Sequence, residues 1–350
     1  MAVSIKDVAK LAGVTTGTVS RAFNHYSDIL PETKERIMTA ARELGYVPNA
    51  TARSLSAKRP PNICLIVSNI QSGDDRDAML FLLLKGVISY AREHYLELTL
   101  YSLDSAEQQN ISFTDYCSLH SISGAIITGV RTDDPYFTEL IHSGIPVVGI
   151  DLPIAGEKTG WVSINNRAAA GEAVEALFRK GFERLLIVEG SPNTAVNAER
   201  LEGVRDAYRA AGRKLDESSA CVVADFSEKT AEEQTSEWLK AHPAPDAVFC
   251  FSDLMALGVM EALKKRGLRV PADVSVMGFD GMPFTTLTDP RLSTVEQDMR
   301  AMGREAAAFL HGLMESACKP GHRTLPHHIR MRDSVGELQF VPKDTDVSLK

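Results

Sequence analysis

The stretch SIKDVAKLAGVTTGTVSRAFN, Ser4 to Asn24, reads as two short amphipathic helices separated by three or four residues. Ser4 and Asp7 form an S-x-x-D capping box, and Val8, Leu11 and Ala12 make one apolar face that stops at Gly13. Thr15 suits the N-cap of the next helix, Val19, Ala22 and Phe23 give its inward face, and Val14 can staple against Val19. A third helix is expected from Pro31, with Ile37, Ala40, Ala41 and Leu44 inward and Gly45 as its stop. Three helices this short form a tri-helical head of helix-turn-helix type.

With Val19, Ala22 and Phe23 inward, the second helix turns Thr16, Gly17, Ser20 and Arg21 outward. Small hydroxyls and a slim backbone allow close approach to a groove. Threonine bonds phosphate or base edges and touches a thymine methyl, and arginine reaches guanine or phosphate. A merely solvated polar helix is the bland alternative. Charge favours the groove: residues 1–60 hold nine Lys/Arg against five Asp/Glu, a net of +4 within a chain of net −8, leaving −12 on the remainder. A basic head on an acidic body points to an anionic polymer for the head and another partner for the body. The following YVPNATARSLSAKRPP, residues 46–61, has no core-building stripe, yet Asn49 to Ala57 can form one or two helical turns. Isolated, that segment is too short to be stable. Leu55 among Arg53, Lys58 and Arg59 has the makings of an apolar wedge for a minor groove.

The ordered run IKDVAKLAGVTTGTVSRAFN, then ILPETKERIMTAARELGYVPNATARSL, resembles the head of the lactose-repressor (LacI/GalR) family of bacterial transcription regulators. The resemblance implies that Thr16, Gly17 and Arg21 read bases and that Thr15, Thr18, Ser20 and Asn24 engage the DNA backbone. It puts Ala52, Arg53 and Leu55 in a hinge helix whose leucine wedges the central base step. Two positions depart from the pattern. Gly17 offers no side chain where a base-reading one is common, and Leu30 stands where Ser or Thr usually caps the third helix, at a cost of about 1 kcal/mol.

Beyond Pro61 apolar strands alternate with helix-period stretches. Strands read at 63–69, 96–102, 124–128, 146–151, 161–164, 185–189, 221–224, 247–251 and 274–280. That rhythm is doubly wound α/β, in two sheets, with ligands expected beyond the strands' carboxyl ends. The residues ending strands include Asn69, Asp151, Asp225, Ser252 with Asp253, and Asp280. NAERLEGVRDAYRAAG, FCFSDLMALGVMEALKKRG, VSVMGFDG and PRLSTVEQDMRAMGREAAAFL also resemble the family, whose effector domain is like a periplasmic sugar-binding protein: two similar subdomains joined by three crossovers. The expected organisation is an all-α helix-turn-helix head at 1–48, a hinge and linker at 49–61, an α/β effector domain at 62–340 and a tail at 341–350. Within the body, subdomain 1 takes 62–160 and 292–321, and subdomain 2 takes 161–291 and 322–340.

By the same resemblance Arg200, Ser252, Phe226 and Asp280 contact an effector. Asp151 and Arg131 are added as residues ending or following a strand, and Asn69 belongs to the acidic stretch SNIQSGDDRDAMLF, where this chain departs from the family's shorter loop. An arginine, an aspartate and one aromatic wall suit a polyhydroxylated molecule, a sugar first, with a nucleobase or sugar acid next. Some relatives answer instead to a protein partner. The expected mechanism is a homodimer reading a pseudo-palindromic operator, with effector closing the cleft and changing the hinge spacing.

Other classes find little support. No G-x-S-x-G elbow, G-x-G-x-x-G fingerprint, phosphate loop or H-E-x-x-H occurs, so no enzyme, cofactor or metal is expected. Adjacent His327 and His328 would point to opposite faces of a strand. Five scattered cysteines, never spaced CxxC, read as free thiols. The longest apolar run, AMLFLLLKGVI, is interrupted by Lys85, and the start has no apolar signal core, which together lead to a cytoplasmic expectation.

Overall fold

A computed structural model describes residues 4–23, 29–44, 46, 62–68 and 77–337. They divide at Pro60/Pro61 into two compact units.

The first unit has three helices: α1 (Ile5–Ala12), α2 (Thr16–Phe23) and α3 (Pro31–Glu43). Asp7 accepts from the Ser4 backbone N–H at 2.9 Å and from its hydroxyl at 2.7 Å, fixing the start of α1. Gly13 ends it at φ +64°, a left-handed conformation that a side chain would strain. Thr15 accepts the Thr18 N–H at 3.2 Å and so caps α2. The core is Val8, Ala9, Ala12, Val19, Ala22, Ile37, Ala40 and Ala41, with Ile5, Val14, Phe23, Ile29, Leu44 and Tyr46 packed around it. Leu11, expected inward, is half exposed, and Ala9 takes its place. An eight-residue helix has room for a narrow inward stripe only, and here it runs through 5, 8, 9 and 12. Leu30 precedes α3 without a side-chain cap, and Pro31 takes the first turn.

The second unit carries two six-stranded sheets. The first contains β1 (Asn62–Ser68), β2 (Glu97–Leu103), β3 (Gly124–Thr128), β4 (Val147–Ile150), β5 (Thr159–Ile164) and β11 (Gly321–Leu325), in the order β11-β5-β4-β3-β1-β2, all parallel. The second contains β6 (Leu185–Glu189), β7 (Cys221–Val223), β8 (Ala247–Cys250), β9 (Ser275–Asp280), β10 (Ser293–Gln297) and β12 (His327–Arg330), in the order β12-β10-β9-β8-β6-β7. Only the β10–β12 pair is antiparallel. The helices that matter below are α4 (Asp77–Glu93), α5 (Ser105–Asn110), α6 (Phe113–Leu119), α7 (Pro135–His142), α8 (Asn166–Arg179), α9 (Ala195–Ala210), α10 (Glu217–Ala220), α11 (Glu228–Ala241), α12 (Asp253–Lys265) and α13 (Met299–Met314).

Sheet membership moves three expected boundaries. Strand 161–164, assigned above to subdomain 2, lies in the first sheet as part of β5, and β10, inside the expected 292–321 piece of subdomain 1, lies in the second. β11, nearly all inside the expected 322–340 piece of subdomain 2, pairs with β5 in the first sheet. The crossovers therefore fall between β5 and α8, between β10 and α13, and between β11 and β12. The helices pair tightly because glycine sits at the crossings. A Cβ on Gly303 would meet the Leu83 carbonyl of α4 at 2.1 Å, and one on Gly203 the Arg167 carbonyl of α8 at 2.0 Å. No helix among the described residues is long and apolar enough to cross a membrane.

Candidate functional site

In the head, Thr16, Gly17 and Arg21 of α2 are exposed and Thr18 and Ser20 half-exposed, while Val19 and Ala22 are buried behind them. Thr15 and Thr18 share a hydroxyl–hydroxyl bond of 2.9 Å, which fixes two side chains of the helix start. A Cβ built on Gly17 would touch only Thr15 Oγ1, at an ordinary 3.6 Å. Packing within the head therefore does not demand glycine there. Asn24, Ala52, Arg53 and Leu55 lie outside the described residues, as does Asn69.

In the body, a cavity of about 160 Å³ opens at the carboxyl ends of the strands, with walls from both sheets. It is lined by Arg131, Asp151, Arg200, Phe226, Ser252 and Asp280, so the six described positions singled out in the sequence come together. Three of the seven non-glycine residues with positive φ among the described residues line it, Asp151 (+54°), Phe226 (+58°) and Asp280 (+115°), and a fourth, Asp225 (+55°), immediately precedes Phe226. Backbone strain of this kind persists where surrounding structure over-determines it, and it gathers at ligand sites.

Arg200, on α9, is 3% exposed. Its Nε donates to Asn166 Oδ1 at 2.9 Å, its Nη1 donates to the Phe251 carbonyl, and its guanidinium lies 3.7 Å over the Phe279 ring. Its nearest carboxylate contact is Asp280, 3.8 Å away, an ion pair without a close hydrogen bond. Burial pulls the Arg200 pKa down, opposed by Asp280, Asp151 and Glu199. Asp280 accepts from Gln297 Nε2 at 2.9 Å, and burial pushes its carboxyl up to about 6 against the pull of Arg200 and Gln297. Beneath it Asp253 is wholly buried, accepting from Thr294 Oγ1 at 2.6 Å and from the Met282 N–H at 2.7 Å. Burial and the neighbouring Asp280 hold Asp253 well above the ordinary carboxylate range.

The other positions play different parts. Ser252 caps α12, accepting the Met255 N–H at 3.1 Å, so its oxygen is already committed to the helix. Phe226 stands over Gly190, where a Cβ would come within 2.0 Å of the ring. Ser191 Oγ bonds Asp225 beside it. Asp151 accepts from Ser163 Oγ at 2.5 Å, and burial raises its carboxyl. Arg131 is held through its backbone N–H by Asp134 at 2.8 Å. At the mouth the lips meet: Thr132 donates to the Asn193 carbonyl through N–H (2.8 Å) and hydroxyl (3.1 Å), and Asn193 Nδ2 donates to Asp133 at 2.7 Å.

The sequence reading missed much of the apolar wall, including Met79, Ile150, Val196, Leu254, Met282 and Phe284, and the polar Gln297. Gln297 is 5% exposed, and its Oε1 has no hydrogen-bond partner. No group of His, Cys, Asp and Glu among the described residues has the geometry to hold a metal ion.

A helix-turn-helix head followed by two parallel-sheet lobes around a charged cleft is the architecture of a class of DNA-binding regulators. Residues 4–49 match the model of bacterial regulatory proteins, lacI family, and residues 174–335 that of the periplasmic binding protein-like domain. The HTH-type transcriptional regulator CelR of Thermobifida fusca is 31% identical over 335 residues, covering 95% of this chain and 98% of that protein. The HTH-type transcriptional repressor CytR of Escherichia coli K12 is 31% identical over 314 residues, 90% of each. Among solved structures, a CelR–cellobiose complex aligns with a TM-score of 0.71 at 29% identity over 95% of this chain and 99% of that one. The lac repressor dimer bound to operator shares the fold, with a TM-score of 0.79 at 24% identity over 95% and 99%. The chain belongs to the LacI family of bacterial regulators.

Proposed function

We propose that this protein is a homodimeric, sequence-specific repressor of transcription that works in the cytoplasm and whose operator affinity is set by a sugar or sugar derivative bound in the cleft. The observation that carries the effector reading is the cleft itself. Arg200 and Asp280 face one cavity from the second lobe, Asp151 ends a strand of the first, and the Phe226 ring forms a wall. Donor-only guanidinium, acceptor carboxylates and an aromatic face are the groups that a ring of hydroxyls satisfies, since each hydroxyl both donates and accepts. The unpartnered Gln297 Oε1 adds one more acceptor.

Thr16 and Arg21 of α2 read bases in each half-site, Thr15, Thr18, Ser20 and Asn24 hold phosphates, and Gly17 lets the helix approach closely. Ala52, Arg53 and Leu55 belong to a hinge that opens the minor groove between half-sites. Effector preferring the closed cleft changes operator affinity by its differential binding energy, typically about 1–3 kcal/mol. Release of DNA on effector binding is the direction that defines a sugar-induced repressor.

A thermal-shift screen against neutral sugars with cellobiose among them, sugar acids and nucleobases tests the effector class. A saturating ligand stabilises in proportion to ln(1 + [L]/Kd). A concentration-dependent rise with a neutral sugar supports the proposal in its first form and a rise confined to sugar acids narrows it to an acidic derivative, whereas a rise confined to nucleobases would replace it.

A further inference from the structure

We propose that Asn166 is a positioning residue that ties the effector wall to the first crossover, so that occupancy of the cleft is felt as a change of angle between the lobes. Asn166 is fully buried at the first position of α8, two residues after β5 leaves the first sheet. Its amide joins the two lobes. Nδ2 donates to Ser163 Oγ of β5 at 3.0 Å, and Ser163 in turn donates to Asp151 at 2.5 Å. On the other side Asn166 Oδ1 accepts from Arg200 Nε at 2.9 Å, and Arg200 contacts the Phe251 carbonyl and Asp280.

The proton positions in this relay are fixed by chemistry. A guanidinium only donates, so the amide oxygen must face Arg200 and the NH2 must face Ser163. The serine has one proton and gives it to Asp151, leaving its oxygen to accept from Asn166. Each bond thus constrains the next, in a buried setting where an unmade bond is costly. Asp151 stands on the first lobe's wall of the cavity and Arg200 on the second's. A ligand that takes over either group competes with the relay, and a rotation of the lobes must stretch it at Ser163–Asn166. The rim bonds between Thr132 or Asp133 and Asn193 also span the cleft, but these residues are open to water, where such bonds contribute little.

The inference rests on the cleft being the effector site, but its test uses no effector and is therefore independent of the screen above. Spin labels go on the exposed Glu157→Cys and Glu233→Cys, one on each lobe, in a full-length background with Cys221→Ser and Cys318→Ser. Labelled chains are diluted with unlabelled ones so that each chain's own pair is read by pulsed electron paramagnetic resonance. The unaltered relay should give one narrow distance distribution. Asn166→Ala should shift and broaden it most, Ser163→Ala should do so less because Asn166 also faces Asp151 and Glu199 directly, and the double variant should go no further than Asn166→Ala. Should Asn166→Ala not fold, Ser163→Ala carries the test. A role for Asn166 in packing alone would lower Tm and leave the distribution narrow, and that outcome, or a double variant broader than either single one, overturns the proposal.

Discussion

The head and the cleft treat polar groups in opposite ways. Among the described residues the head buries only apolar side chains, and its polar ones face outward. The cleft buries Arg200, Asp253 and Asp280 within one network and leaves an acceptor of Gln297 unmet. A surface read by a polymer keeps its hydrogen-bonding groups in water until the partner arrives. A site that swallows a small molecule must instead hold them pre-oriented and dry, at a standing cost in stability.

The sharpest way to break that contrast is Arg200→Ala. It leaves Asp280 buried without its cation, and the expected loss is about 3–5 kcal/mol of body stability, read by denaturant titration. A loss below about 1 kcal/mol, the range of an exposed ion pair, would mean the cleft is no drier than the surface.

Next in size is a pH effect. Asp280 titrates near 6 when folded and at about 4 in the unfolded chain. Between those values the folded protein holds more protons, so this group's contribution to stability falls as pH rises from about 4 to about 6 and is flat above. Relative to Asp280→Asn, the wild type should lose on the order of 3 kcal/mol across that window. A constant difference between the two proteins from pH 4 to 7 would contradict the burial.

Gly190→Ala places a Cβ within 2.0 Å of the Phe226 ring and should cost about 1–3 kcal/mol while displacing the aromatic wall. Melting temperature and the affinity of whichever sugar the screen yields check the two effects together. The smallest effect belongs to the head. Gly17→Ala meets no neighbour closer than 3.6 Å and removes glycine from a helix, so it should stabilise the head by about 0.5–1 kcal/mol. Its operator affinity should nonetheless change if Gly17 faces the groove as proposed. An unchanged operator preference would place Gly17 outside the interface.

The same contrast explains what was legible in the sequence. The head is built from contacts three and four residues apart, so its caps and inward face are written locally; Leu11 is the exception, because Ala9 competes for the same stripe. In the body the acids ending strands stand out, since a doubly wound sheet places them at the cleft. Asn166 and Gln297 do not stand out, because they sit at the crossovers that follow β5 and β10, and Asn193 does not, because its partners Thr132 and Asp133 come from the facing lobe. Nothing local to Ser293–Gln297 tells which sheet that stretch joins, so the expected 292–321 piece carries it into the wrong lobe. The apolar wall formed by Met79, Val196, Leu254 and Phe284 looks like ordinary core until two lobes are seen to face each other.

In the proposed function the cleft governs the head. Fluorescence anisotropy on a duplex selected from random sequence by the full-length protein, titrated with the sugar found by thermal shift, measures that coupling. Saturating sugar should weaken operator binding by about 5–150-fold, the range of ordinary allosteric coupling. Sugar binding that leaves operator affinity unchanged would contradict the proposed function.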